Sequence, residues 1–343
     1  MIIKASDLKT GHSDIKRQVD LLYQTVSSYS KSKEFKSLLQ FCAGQKHLSP
    51  YNAMLVQMQR PDALYVLGAD DWKHKYNRLI KSDARPLIIL VPFGPVDFVF
   101  DVKDTEPLKN MFPDDIKELL KVIKKTYSEK QLNIEEKQQN LINNLSLHGI
   151  SFGQSLLGGD ELGAQIELSR QKKNINVALN KKSKIRWDSY FLLSVNGQQD
   201  MHTRFAALCQ ELSHLFCHHI PGYGWWESRS NELNLDSMNF EARCVTWLVC
   251  ERQGITNPTK ELLTTYLQHH KKIPNVSLDF ILQAANEIEK MLKPMNYQKG
   301  LLYKKDEKFR EAVRRYKETQ VKNVVEENQI TLENNYKQGE LFI

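Results

Sequence analysis

Apolar residues recur every three or four positions over the first sixty residues, which is the spacing typical of amphipathic helices. Ser49 followed by Pro50 marks a helix start, because serine is a favoured N-cap and proline is favoured at the first helical position. This helix should end near Pro61. The apolar positions of the three predicted helices are Ile15, Val19, Leu22, Tyr23 and Val26, then Phe35, Leu38, Leu39 and Cys42, then Tyr51, Leu55 and Met58.

From Pro86 onward the spacing of the apolar residues is no longer that of a helix but that of extended strands. The stretch PLIILVPFGPVDFVFDV is rich in branched and aromatic residues, which favour strands, and Phe93-Gly94-Pro95 interrupts it as a turn. We predict a β-hairpin here. With the helices before it, the hairpin completes an α+β module over residues 1–108.

A helical connector is predicted over residues 109–147, beginning at Pro113-Asp114-Asp115. Short strands follow around residues 164–168, 175–179 and 190–195, and two long helices come after them. These elements predict a second domain over residues 148–300, mainly helical with a small β-sheet, so the fold class is α+β. Residues 301–343 are dense in charge, which indicates a solvated helix or a disordered tail.

The composition limits the class of protein. A chain of 343 residues, of which 41% are hydrophobic, can build two cores. No stretch approaches the about 18 apolar residues of a membrane span, and the N-terminus lacks the apolar core of a secretory signal. We therefore expect a cytoplasmic protein without a membrane partner. Five cysteines without a C-x-x-C pair favour free thiols over disulfides or a cysteine zinc site.

The segment MHTRFAALCQELSHLFCHHI combines an apolar stripe with polar residues at metal-site spacing. The stripe consists of Phe205, Leu208, Leu212, Leu215 and Phe216. Thr203 is the predicted cap of this helix. Gln210 and His214 are four residues apart and point the same way, with Glu211 beside them. This is the layout of the zinc helix H-E-x-x-H with Gln in place of the first His, although Q-E-x-x-H alone could also be a solvated helix face.

A second helix, LDSMNFEARCVTWLVCERQGI, supplies a candidate third ligand. Its apolar stripe consists of Met238, Ala242, Val245, Leu248 and Val249, and Glu241 lies near its start. Catalytic zinc sites use three protein ligands and leave the fourth position open for water. The two helices together therefore predict a zinc site.

These residues resemble the ImmA/IrrE family of zincin-like metallopeptidases, through YFLLSVNGQQD, RFAALCQELSHLFCHH and NFEARCVTWLVCERQGI. The resemblance implies that His214 and Glu241 bind zinc, that Glu211 is the catalytic base, and that Gln210 occupies the remaining ligand position. His219 stands where the family commonly ends in Gly-His. The implied activity is that of a metallo-endopeptidase, a hydrolase. Its protein substrate could be a separate repressor of the helix-turn-helix type.

The N-terminal residues resemble the N-terminal domain of ArdC-type antirestriction proteins. The resemblance is carried, in order along the chain, by Ser49-Pro50-Tyr51-Asn52, Gln59-x-Pro61, Trp72 and Arg85-Pro86. Those proteins join a domain that binds single-stranded DNA to a zincin-like domain. The resemblance therefore implies single-stranded DNA as a partner of residues 1–108.

Basic residues interleave with Trp72 and Tyr76 in this module, as a groove that binds DNA by backbone contacts and base stacking would require. The candidate DNA contacts are Lys73, Lys75, Arg78, Lys81 and Arg85. The net charge of +7 modestly favours a polyanion, but a solvated basic surface would account for it as well. We expect Trp72 to be buried rather than stacked on a base.

Gln210 puts the metal site in question, because a glutamine oxygen is a weaker zinc ligand than an imidazole. Gln210 could still bind zinc through its side chain, or the pair could shift to His214 and His218, which strands Glu211. A third alternative is a pseudoenzyme that keeps the fold without the metal.

Further candidate ligands flank the motif. Cys217 could offer a thiolate, although a packed thiol is the simpler interpretation, and His202 could substitute for the missing histidine. His218 and His219 lie near the site, and histidines at a helix end also interact favourably with its dipole.

Two functions follow from these patterns. The first is a zinc peptidase of the ImmA/IrrE type that cleaves a regulatory protein and carries a DNA-binding module. The second is a catalytically inactive zincin-like protein that binds single-stranded DNA or acts in antirestriction. An interaction protein with neither activity is the third hypothesis.

Overall fold

The computed structural model describes residues 31–91, 94–108, 115–129, 133–155, 163–169, 173–221 and 225–321, and the fold is α+β with mainly helical content, as predicted. Within these residues no helix has the length and apolar character needed to cross a membrane. The predicted helix around Val19, the turn residue Phe93, the helix start at Pro113-Asp114 and the tail beyond residue 321 lie outside the described residues.

The second and third predicted helices are confirmed. Helix α1 spans Ser32–Gly44 and helix α2 spans Pro50–Gln59. The apolar positions Phe35, Leu38 and Leu39 are buried. The hydroxyl of Ser49 accepts the backbone N–H of Asn52, so that Ser49 caps α2 as expected.

The predicted hairpin is formed by β3 (Leu87–Val91) and β4 (Gly94–Asp101). Strand β1 (Val66–Leu67) pairs antiparallel with the other side of β4. Gly94 and Pro95, predicted as turn residues, already belong to β4. Helix α3 (Ala69–Tyr76) follows β1, and β2 (Arg78–Ile80) pairs antiparallel with β5 (Thr105–Pro107).

Side-chain amides from α2 close the free edge of this sheet at β3. The amide of Asn52 accepts the N–H of Leu90 at 3.0 Å and donates to its carbonyl at 2.9 Å. Gln59 makes the same pair of bonds with Ile88, both at 2.8 Å. Because an unpaired strand edge invites pairing with another chain, these amides stabilise the edge and protect it.

The connector consists of two helices, α4 (Ile116–Glu129) and α5 (Ile134–Leu145). The second has its own start signal, since the side chain of Asn133 accepts the N–H of Glu136 at 2.8 Å.

The second half of the chain contains a three-stranded sheet in the order β6-β10-β7. Strand β10 (Phe191–Asn196) pairs parallel with β6 (Ile150–Ser155) and antiparallel with β7 (Ala164–Leu168). Strands β8 (Asn174–Ala178) and β9 (Lys184–Asp188) form a separate hairpin. Strands β6 and β9 were not predicted, because ISFGQS and KIRWD carry too few apolar residues to stand out from loops.

The helices of this half are α6 (Met201–Phe216), α7 (Leu235–Gln253), α8 (Lys260–His269), α9 (Leu278–Met291) and α10 (Leu301–Lys305). The prediction that Thr203 caps α6 is wrong. Asp200 is the cap, and its carboxylate accepts the N–H groups of His202 and Thr203 at 2.9 and 3.1 Å. Thr203 is the third residue of the helix, and its hydroxyl donates to the other carboxylate oxygen of Asp200 at 2.5 Å.

One apolar core runs from Phe35 to Leu301 and joins the N-terminal helices to α6, α7 and α9. Arg252 of α7 is buried, and its guanidinium donates to the carbonyls of Cys42 and Leu48, both at 2.7 Å. It also pairs with Glu289 of α9. These contacts cross the proposed boundaries at residues 108 and 147, which stay predictions.

Residues 307–321 form a helix, called here the C-terminal helix. Phe309 and Val313 on this helix are buried against Val177 and Leu179 of the β8–β9 hairpin. The predicted charged helix is therefore present over these residues, and ten of its 15 residues are exposed. The prediction missed only that Phe309 and Val313 pack against the hairpin.

Candidate metal centre

The two predicted site helices lie side by side. Gln210 and Glu211 on α6 are 6% and 5% exposed, His214 one turn later is partly exposed, and Glu241 on α7 is fully buried. The interpretation of Q-E-x-x-H as a solvated helix face is therefore wrong. The motif faces the interior between the helices.

The ring of His219 lies between His214 and Glu241. Nδ1 of His214 is 3.0 Å from Nδ1 of His219, and Nε2 of His219 is 2.8 Å from a carboxylate oxygen of Glu241. When both rings are neutral, His219 donates to Glu241 and His214 donates to His219. The structure thus connects His214 to Glu241 through a third side chain.

The carboxylate of Glu241 accepts four hydrogen bonds. Oε2 accepts from His219 and from Arg229 at 2.9 Å. Oε1 accepts from Arg229 at 3.0 Å and from the backbone N–H of Ser277 at 2.6 Å. An ionised carboxylate offers about four lone-pair positions, so the protein itself fills the acceptor capacity of Glu241.

These contacts determine the charges in the site. Burial and the neighbouring His219 ring lower the pKa of His214 to about 4, so His214 is neutral at pH 7. Burial alone would raise the pKa of Glu241, but hydrogen bonds from His219 and Arg229 outweigh it and hold that pKa below its usual range. Burial and the charge of Glu241 raise the pKa of Cys217 well above the usual range, which keeps the thiol protonated.

Glu211, the predicted catalytic base, also makes a hydrogen bond within the protein. A carboxylate oxygen of Glu211 accepts the backbone N–H of Ile166 at 2.7 Å. Ile166 lies on β7, one of the two edge strands of its sheet, and is paired with Leu193 of β10. Glu211 therefore closes a strand edge in this structure.

Cys217, His219 and Glu241 form a buried group that could hold a metal ion, since one donor atom from each lies within 4.8 Å of the others. The present geometry is that of hydrogen bonds. The 2.8 Å between His219 and Glu241 is shorter than the about 3.4 Å that separates two ligand atoms on a tetrahedral zinc. The Cys217 thiol faces the carbonyl of Phe280 at 3.7 Å and would have to lose its proton. The residues present do not fit a metal without rearrangement.

The remaining candidate ligands, His218 and His202, contact other groups of the protein. His218 has a positive φ of 63°, stacks on Trp226 with ring centroids 4.3 Å apart, and lies 2.6 Å from the carbonyl of Glu227. His202 accepts the backbone N–H of Thr256 at 3.2 Å. The register shift to His214 and His218 and the substitute-ligand hypothesis for His202 have no support in these contacts.

The candidate DNA contacts of the N-terminal module differ in exposure. Trp72 is fully buried, as expected, and donates its indole N–H to the carbonyl of Phe100 at 2.9 Å. Arg78 is 2% exposed and donates to the hydroxyl and the carbonyl of Thr105 at 2.6 and 3.0 Å. The prediction that Arg78 contacts DNA is therefore wrong, because its guanidinium is committed to the interior.

The other four basic residues, Lys73, Lys75, Lys81 and Arg85, are exposed. Lys75 pairs with Asp71 at 2.9 Å, and Lys81 donates to the carbonyl of Lys103 at 2.8 Å. Residues 61–108 contain eight Asp and Glu against six Lys and Arg. The charge of this stretch thus gives no support to a phosphate-binding groove.

Sequence reasoning missed Arg229, which donates two of the four hydrogen bonds that Glu241 accepts. It pairs with Glu241 through both terminal nitrogens, donates to the carbonyl of Cys217 at 3.0 Å, and lies 4.1 Å above the ring of Phe280. Arg229 sits in an irregular segment between α6 and α7, where no periodicity marks it. A single arginine twelve residues before Glu241 carries no local signal.

Comparison with known proteins adds nothing to this geometry, since no family model, no curated protein and no solved structure matches the chain.

Proposed function

We propose that this protein is a non-hydrolytic, zincin-like protein that acts by binding single-stranded DNA. The observation that carries the first half of the proposal is the carboxylate of Glu241. Its four acceptor positions are occupied by His219, Arg229 and Ser277, so it has none left for a metal. The buried ion pair with Arg229 supplies the positive charge that a metal would otherwise provide.

The competing function is that of a zinc peptidase of the ImmA/IrrE type. That function is favoured by the donor group of Cys217, His219 and Glu241 and by His214, which has a neutral ring. It requires Arg229 to leave Glu241 and Glu211 to leave the N–H of Ile166. Each step breaks a buried hydrogen bond to a charged group, and such bonds contribute about 1.5–3 kcal/mol. The binding function requires neither step.

A polyanionic partner is supported by the net charge of +7, and the single-stranded form of DNA is what the resemblance of the N-terminal residues implies. Among the described residues many Lys and Arg side chains are exposed and take part in no ion pair, including Lys181, Lys182 and Arg186 of the β8–β9 hairpin. Phosphate contacts release condensed counterions, which makes binding strongly dependent on salt.

The proposal is tested by fluorescence anisotropy with a labelled 30-nucleotide single strand, in 50 and 200 mM salt, with and without EDTA. We expect binding that weakens about 50-fold over this salt range, as for roughly four phosphate contacts, and that EDTA does not change. Absence of binding in 50 mM salt would refute the DNA-binding function. Loss of binding in EDTA would contradict the metal-free site.

A further inference from the structure

The excess of positive charge is concentrated in two segments that pack against each other. The β8–β9 hairpin, residues 173–188, holds five Lys and Arg against one Asp. Residues 304–321, which include the C-terminal helix, hold seven Lys and Arg against four Asp and Glu. Together they account for a net charge of +7, which equals that of the whole chain.

The two segments form one ordered surface. Phe309 of the C-terminal helix is buried and meets the ring of Trp187 edge to face, with centroids 5.2 Å apart. The hydroxyl of Tyr190 donates to Asp306, whose carboxylate also accepts the N–H of Phe309. The carboxylate of Asp306 is thus used in hydrogen bonds within the protein. The two basic segments are held together by packed side chains.

A cavity of about 650 Å³ opens between the hairpin and the start of the C-terminal helix. Its basic side chains are Arg186, Lys305 and Lys308, which are exposed and make no ion pair with a described residue. Its walls also include three partly exposed aromatic residues, Trp187, Tyr190 and Trp225. Three acidic residues, Asp188, Asp306 and Glu307, line the cavity too. The carboxylate of Asp306 is taken up by Tyr190 and the N–H of Phe309, and the carboxylates limit how close a phosphate approaches on their side of the cavity.

We propose that this cavity binds a segment of single-stranded nucleic acid. Arg186, Lys305 and Lys308 contact phosphates, and a base stacks on Trp187 or Trp225. Cations beside aromatic faces are the combination that single-strand binding uses, since every base has a face to stack and every nucleotide a phosphate. The inference rests on the proposed DNA-binding function and moves its site away from residues 1–108.

The experiment compares two triple variants that remove the same charge. The first is Arg186→Ala, Lys305→Ala and Lys308→Ala. The matched control removes exposed basic residues of the N-terminal module, with Lys73→Ala, Lys81→Ala and Arg85→Ala. All six side chains are exposed, so both variants should fold, which a thermal melt of each checks. The full chain is titrated into a labelled 30-nucleotide single strand and into the duplex of the same sequence.

We expect the cavity variant to weaken single-strand binding at least about tenfold and to flatten the slope of log affinity against log salt by about two, as for three lost phosphate contacts. The control variant should bind within about twofold of the unaltered protein. The duplex should bind more weakly than the single strand, because its bases cannot stack on the cavity wall.

The failures can be told apart. If the unaltered protein binds the single strand and the control variant loses affinity while the cavity variant does not, the cavity assignment is overturned and the DNA-binding function stands. If neither variant weakens binding, the cavity assignment is likewise overturned. If the unaltered protein does not bind, the proposed function itself fails. Equal affinity for duplex and single strand would overturn the stacking of bases on Trp187 or Trp225.

Discussion

Removal of Arg229 should destabilise the protein more than the loss of any surface charge. The side chains of Arg229 and Glu241 are 14% and 0% exposed. The change Arg229→Ala would leave Glu241 ionised and buried with two of its four donors. Breaking a buried ion pair from one side costs about 3–5 kcal/mol, a large share of the about 5–15 kcal/mol that stabilises an ordinary domain.

The effect should depend on pH. The pKa of Glu241 lies below its usual range in the folded protein. Its contribution to stability is therefore present above the pKa of an unfolded glutamate, about 4.3, and is lost as the pH falls through the folded value. Without Arg229, burial dominates and the folded pKa rises. The loss of stability in Arg229→Ala should accordingly be smaller at pH 4 than at pH 7.

Urea unfolding at both pH values measures these losses. The control is Arg315→Ala, because Arg315 makes an exposed pair with Glu311 on the C-terminal helix, and such pairs contribute about 0.3–0.5 kcal/mol. Arg229→Lys keeps the charge but not the bidentate geometry of arginine. Its loss of unfolding free energy should lie between the losses in Arg229→Ala and Arg315→Ala. A loss below about 1 kcal/mol for Arg229→Ala at pH 7 would refute the central role of this ion pair. So would a loss that is the same at both pH values.

Two further predictions concern residues that sequence reasoning misassigned. Asp200→Ala should lower the melting temperature more than Thr203→Ala at neutral pH, and the difference should shrink in acid. A hydrogen bond from the Thr203 hydroxyl lowers the pKa of Asp200, and the stability linked to it is lost as the carboxylate is protonated; equal effects of the two variants would contradict Asp200 as the cap. Arg78→Met should lower the free energy of unfolding and leave the affinity for single-stranded DNA within about twofold. A flatter salt dependence of DNA binding in this variant would show that Arg78 does reach phosphates.

Local patterns predicted the parts of the fold that local forces determine. Ser49 caps α2 as expected, because an N-cap acts on residues three positions away. The apolar periodicity also predicted two strands and the two site helices, since the apolar positions are the ones that become buried. The strands lie around residues 164–168 and 191–196. The prediction found only one strand of the β8–β9 hairpin, since β9 has no buried residue and carries little apolar signal.

The site itself depends on contacts that no local pattern reveals. The bond from Ser277 to Glu241 joins residues 36 positions apart, and Arg229 comes from an irregular segment. Asn52 illustrates the same limit. It lies in the stretch that carries the N-terminal resemblance, and no local pattern indicates that its side chain pairs with the edge of β3. Residue types and spacing indicate which groups can meet, and tertiary packing decides which of them do.

The metal content of the purified full chain tests the central claim most directly. Elemental analysis would be run on the unaltered protein beside Gln210→His and His214→Ala. We expect far less than one zinc per chain in the unaltered protein and no change in His214→Ala, because Arg229 and His219 already occupy Glu241. About one zinc per chain in the unaltered protein, lost in His214→Ala, would contradict the account and identify a working metal site.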